Sequence, residues 1–411
     1  MADQRHDSVG PGHGAGPDAE ASFPGRLERF LSECAQTIAG FAGDDGVRAV
    51  YLCGSFAAGE GSVAFDGGAP LFLSDIDLVL VVDSIDAHRA LYPRRREISA
   101  ACEARWPEAR FAGHVDVGVL LSSELGGLDP SPGVFDMRRT GRVLSGDPSV
   151  IGLLPEADTA VLGPPEARLL CENRIASLLG TVDLLHEMGS DALAILRYAV
   201  SRVYTDILTA ELCATRAYRP GYAERVRWLR EDPTALRLRE SLGPGLVDRI
   251  DTWTAYKLRP SPELAPRGGP EELWLEAAAQ ILLAWRRSAA ASAGLDPAAS
   301  LSRPVEELIA MSTRGGRAVP SLLRWKEYLR RHRGLSLPGA VVLAIGRFRN
   351  GTPDDQVRGE GIRLVDAALM KGIDHETVCP AGGFPHHGGS FRSAARVTSS
   401  VWRALVYGKE S

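Results

Sequence analysis

The chain lacks any long hydrophobic run, any paired cysteines and any large excess of one charge. No apolar stretch approaches the ~18 residues of a membrane span, the longest being near Ala340–Ile345. No membrane association is therefore expected. The six cysteines stand singly, with no C-x-x-C pair, so a zinc knuckle or disulfide framework is not expected. Free thiols in a cytoplasmic protein are the plain reading. The net charge of −5 excludes a generic nucleic-acid binder. Met1–Ser22 is rich in Gly, Asp and His and has no hydrophobic stretch, so it reads as a disordered tail rather than a signal peptide.

What is present is enough for a core. In 411 residues, 45% are hydrophobic, which excludes global disorder and allows two or three domains. Phe23–Phe41 has apolar residues at helical spacing. Val47–Cys53 and Ser74–Asp83 read as strands, and Ala109–Ser122 contains a third, His114–Ser122. Phe56–Leu73, rich in Gly, Ala and Ser, reads as a short helical turn followed by a loop. Ile85–Arg105 reads as one charged helix with Asp83 as its cap. Beyond residue 150 the pattern turns helical, with Pro164–Met188, Asp191–Thr215, Glu271–Ser288 and Pro320–His332. The expected class is α+β: a small mixed sheet with helices over 23–150, a helical domain over 151–300, and a basic helical region over 301–411. In that last region Arg314–Arg349 is basic apart from Glu327, either as a solvated face or as a polyanion site.

The chemistry concentrates in one stretch. Gly54-Ser55 follows an apolar strand, and Asp75-Ile76-Asp77 opens the next. Residues i and i+2 of a strand face the same side, so Asp75 and Asp77 project together. Two carboxylates repel, and a divalent cation between them relieves the repulsion. Mg²⁺ takes oxygen ligands and leaves room for phosphates. Asp116, between Val115 and Val117 on the third strand, is expected to join them, and three carboxylates suffice for two metal ions. Gly54 permits close backbone approach, and Ser55 is expected to contact terminal phosphates.

This arrangement resembles the nucleotidyltransferase superfamily that includes DNA polymerase β and the bacterial aminoglycoside nucleotidyltransferases. The shared pattern is a strand ending in Gly54-Ser55, then Asp75-x-Asp77, then Asp116 on a later strand. Phe135–Asp147 looks like the segment that closes that domain in bacterial members. The likeness covers about residues 25–150, and is weaker over the helical part. The chain departs from the pattern twice. The spacing from Ser55 to Asp75 is longer than in compact members, so Gly61–Leu73 reads as an insertion. Ala57-Ala58-Gly59 stands where an Arg is common.

The resemblance implies transfer of a nucleoside monophosphate from an NTP, with ATP the prior choice, to a hydroxyl, releasing pyrophosphate. Mg²⁺, two ions of it, would be the cofactor, held by Asp75, Asp77 and Asp116. The acidic composition and the helical domain favour a small-molecule acceptor over a polymer, a cationic one being one option. A nucleotidyltransferase acting on tRNA or a protein side chain is the alternative, supported by the basic Arg314–Arg349 region. A non-catalytic nucleotide-binding module is the alternative of another class, and the three intact carboxylates argue against it.

Other residues carry weaker signals. Lys257 reads equally as a triphosphate ligand or a surface lysine. Arg202 reads as the i,i+4 partner of Asp206. Glu172 and Arg174 would approach the site only if their helix has the right phase. His375, Cys379, His386 and His387 read as bystanders in a Gly/Pro loop.

Overall fold

The computed structural model describes residues 17–296, apart from 44, 45, 67, 157, 182, 183, 186 and 188. The proposed C-terminal region 301–411, with its basic stretch and its histidines, lies outside the described residues. The chain divides into two compact units, one reaching Glu156 and the other taking up residues 157–257 and the chain from Leu264.

The first unit is built on a four-stranded mixed sheet ordered β6-β4-β1-β7. Its strands are β1 (Val47–Cys53), β4 (Ile76–Val82), β6 (Val115–Leu121) and β7 (Arg142–Gly146). β1 runs antiparallel to β4 and β7, while β4 and β6 are parallel. Strand alternation gives the sheet two apolar faces. On one, Val50, Leu52, Leu78, Leu80 and Val117 pack with α1 (Pro17–Ala42) and α4 (Arg95–Glu103). On the other, Ala49, Tyr51 and Val81 pack with Leu125, Met137 and Val150. The mixed α+β class expected from the sequence is therefore present.

Three local expectations are corrected. Helix α1 starts at Pro17, inside the segment expected to be a tail. The expected helix 85–105 is broken by Pro93 into α3 (Ile85–Leu91), a 3-10 turn and α4. Its cap is Ser84, whose side chain accepts from the Ala87 N–H at 3.1 Å. Asp83 instead accepts from the Ser122 hydroxyl at 2.6 Å and faces Arg48 at 3.6 Å.

The third correction concerns Gly61–Leu73, which is a hairpin rather than a loop. β2 (Val63–Asp66) pairs with β3 (Ala69–Phe72), and β3 also pairs with β5 (Arg110–Phe111), making a second sheet. Asp66 opposes Ala69 across a two-residue turn whose Gly68 has φ +87°. Such turns need positive φ, and Gly supplies it without strain. The hairpin is anchored by fully buried Phe72. Its ring stacks on Phe111 at 4.9 Å and meets Trp106 edge-on at 5.4 Å.

The second unit is helical: α6 (Pro164–Leu179), α7 (Ser190–Ala214), α8 (Tyr222–Glu231), α9 (Leu236–Leu242), α10 (Pro244–Leu258) and α11 (Pro270–Ser292). α6 ends at Leu179 with Gly180 as its C-cap, so it is shorter than the expected Pro164–Met188. No described helix is long and apolar enough to cross a membrane.

Candidate active site

The site residues stand at one end of the main sheet. Cys53 is the register partner of Asp77, and Asp77 is the register partner of Asp116. The three therefore form a lateral row across β1, β4 and β6. Alternation keeps that row on the Tyr51–Val81 face, because Ile76, Leu78, Val115 and Val117 point into the opposite core. Asp77 is half-buried, while Asp75 and Asp116 are exposed. Burial, with Asp77 and Asp116 nearby, pushes the Cys53 thiol well above its ordinary range.

Two of the carboxylates pack against glycines. Gly54 has φ +67°, and a Cβ there would stand 2.0 Å from Asp77 Oδ2. A Cβ on Gly113 would stand 2.2 Å from Asp75 Oδ1. Ser55 follows Gly54 in the single turn α2 (Gly54–Ala57), beside this row in sequence.

His114 joins the site and was missed by the sequence reading. Its backbone N–H donates to Asp75 Oδ1 at 3.1 Å. Its Nδ1 lies 3.3 Å from that same oxygen, and its Nε2 lies 3.8 Å from Asp116 Oδ1. Pairing with Asp116, aided by Asp75 and opposed by burial, raises the imidazole to about 8. The same pairing, with help from Arg95, lowers Asp116. The available signal was two-residue spacing, which puts His114 on the Asp116 side of its strand.

The donor set is carboxylate-rich, as a hard divalent cation requires. Among the described residues no three His, Cys, Asp or Glu side chains already form a metal cage. A Mg²⁺ site does not need one, because one or two carboxylates plus substrate phosphates complete it. Asp77 and Asp75 supply such carboxylates, each packed against a glycine.

Lys257 is fully buried on α10, with Nζ 4.4 Å from the centroid of the Tyr222 ring. It is not a surface lysine. Glu172 is buried, accepts from Arg168 at 2.8 Å and from the Trp285 indole at 3.1 Å, and so does structural work. Arg202 does pair with Asp206, at 3.9 Å, but Arg174 holds that carboxylate more closely, at 2.5 Å. A cleft of about 450 Å³ between Arg219 and Asp232 is lined by none of the sequence-predicted residues.

No family profile, curated protein or solved structure matches the chain.

Proposed function

We propose that the protein is a metal-dependent nucleotidyltransferase that moves a nucleoside monophosphate from an NTP to a hydroxyl of a small molecule. One observation carries this reading. Asp77 and Asp116 are register partners on adjacent parallel strands, Asp75 precedes them, and the Asp77 carboxylate lies directly against Gly54.

In this reading Asp75 and Asp77 would hold Mg²⁺, with Asp116 completing an acceptor-side position. The cation would offset charge on the phosphate oxygens. The Ser55 hydroxyl binds a terminal phosphate oxygen. Asp116 accepts the proton of the acceptor hydroxyl. The acceptor oxygen then bonds to the α-phosphorus as the bond to the bridging oxygen breaks, and pyrophosphate departs.

The test uses the full chain with each α-labelled NTP, Mg²⁺ and a metabolite extract. Label should enter a new product in wild type and not in Asp77→Asn. Equal labelling by both proteins would sink the reading.

A further inference from the structure

At the outer edge of the main sheet, side chains of α4 take the place of a further strand. β6 is the outermost strand on that side. Val115 opens it and is the register partner of Ile76 on β4. The Ile76 N–H donates to the His114 carbonyl at 3.1 Å, one residue before Val115. In a parallel pair a residue bonds to the two neighbours of its partner, so the N–H and C=O of Val115 turn outward. Outward groups on an edge strand need another partner.

Two α4 side chains engage both. Glu103 Oε1 accepts from the Val115 N–H at 3.0 Å, and the Ser99 hydroxyl donates to the Val115 carbonyl. Ser99 and Glu103 stand four residues apart on the helix and so share a face. Their neighbours Ile98 and Cys102 are fully buried in the core that also holds Val115, Val117 and Val119. The helix that carries the pair is therefore itself anchored.

This clamp falls between two site residues. His114, before Val115, donates its backbone N–H to Asp75 Oδ1 at 3.1 Å. Asp116, after Val115, is the register partner of Asp77. The Val115 N–H belongs to the peptide plane shared with His114, and its C=O to the plane shared with Asp116. Only two soft torsions at Val115 separate these planes, so holding both groups fixes the angle between them. The carboxylate of Asp116 and the N–H that meets Asp75 are then set by one small piece of backbone. Misplacing a reacting group by about 1 Å can cost on the order of a hundredfold in rate.

We propose that Glu103 and Ser99 are positioning residues of the transfer site: by clamping Val115 they set where the Asp116 carboxylate stands relative to Asp75 and Asp77. This rests on the nucleotidyl-transfer reading and adds to it two residues that act through the strand.

The experiment uses the full chain with Mg²⁺, α-labelled NTP and a fixed metabolite extract, and follows the initial rate of label transfer. Glu103→Ala and Ser99→Ala should each lower that rate on the order of tenfold. Glu103→Gln keeps an acceptor oxygen and Ser99→Thr keeps a donor hydroxyl, so both should transfer at close to the wild-type rate. Thermal melts should show the variants folded at the assay temperature, and calorimetry should show that they still bind Mg²⁺–NTP. Combined with Asp116→Asn, either alanine change should lower the rate no further than Asp116→Asn alone, because the carboxylate it positions is gone. A residue that only stabilised the fold would act independently of Asp116. Unchanged transfer in both folded alanine variants overturns the proposal and leaves the nucleotide site standing. So does a further fall in the double variants, or transfer lost as fully in Glu103→Gln and Ser99→Thr as in the alanine variants. If Glu103→Ala does not fold, Ser99→Ala, which removes a single hydroxyl, decides alone. Absence of label with the wild type removes the nucleotidyl-transfer reading itself, and the proposal with it.

Discussion

Gly54 lies directly against Asp77: a Cβ on the glycine would stand 2.0 Å from Asp77 Oδ2. The glycine also has φ +67°, where L side chains are strained. Gly54→Val therefore meets two obstacles, backbone strain of about 1–3 kcal/mol and displacement of the carboxylate. The expected result is loss of Mg²⁺–NTP binding together with a lower melting temperature. Ser55→Ala should be milder, costing about 0.5–1.5 kcal/mol of binding for a hydroxyl contact, or up to about 3 if it meets a charged phosphate. Calorimetry of both variants with NTP and Mg²⁺ measures the difference, and equal losses would contradict the assignment.

Asp77 and Asp116 share a register position but are assigned different tasks. Asp77→Asn should abolish NTP binding that depends on Mg²⁺ while the protein stays folded. Asp116→Asn should lower kcat and kcat/KM together and leave NTP affinity nearly intact, as loss of a transition-state interaction does. Steady-state kinetics with calorimetry decides this. Weakened NTP binding without a kcat effect would remove Asp116 from the acceptor side.

The His114 imidazole faces Asp75 and Asp116, with Glu103 nearby. In metal-free protein its titration midpoint should sit at about 8. Because the folded value is above the unfolded one, about 6.5, the stabilisation it brings is full below about 6.5 and is lost as pH rises through 8. An NMR titration of the ring should show the raised midpoint, and Asp116→Asn should move it down. An unmoved midpoint would mean that Asp116 is not its main partner.

Lys257 is fully buried, which no surface lysine would be. Lys257→Ala should therefore cost stability, about 2–5 kcal/mol on the scale of other large-to-small core changes. Denaturant unfolding measures it. No change in stability would return Lys257 to the surface role read from the sequence.

The legible parts of the fold were those where local pattern and tertiary demand agree. β1 has the bounds read from Val47–Cys53, because an apolar β-branched run is closed by a positive-φ glycine at each end, Gly46 and Gly54. Asp75 stands just before β4 and Asp77 within it, against Gly113 and Gly54 respectively. Other features depend on partners far along the chain. β7 is a short strand whose place comes from pairing with β1, and Lys257 is buried by packing that its own helix does not specify. His114 enters the site through Asp75, which lies on a separate segment. The hairpin is a different case, since Asp66-Gly67-Gly68 between two apolar runs was a usable turn signal. The abundance of small residues hid it.

That hairpin changes what shortening Gly61–Leu73 should do. As a loop at the mouth of the site, it would be removable without harm to NTP binding. As observed, it places Phe72 among Phe56, Trp106 and Phe111, and adds β2 and β3 to a sheet shared with β5. β5 lies between α4 and β6, so the hairpin braces the segment leading to Asp116. Phe72→Ala alone should cost about 3–5 kcal/mol, since it empties a site that is wholly buried. Deleting 61–73 should remove the cooperative unfolding transition of the first unit. Phe72→Leu, which keeps most of the volume, should retain that transition and bind Mg²⁺–NTP with wild-type affinity. Urea unfolding of the three variants, followed by calorimetry on those that fold, tests the sequence of effects. A deletion variant that unfolds cooperatively with undiminished stability would show that the aromatic cluster does not depend on the hairpin.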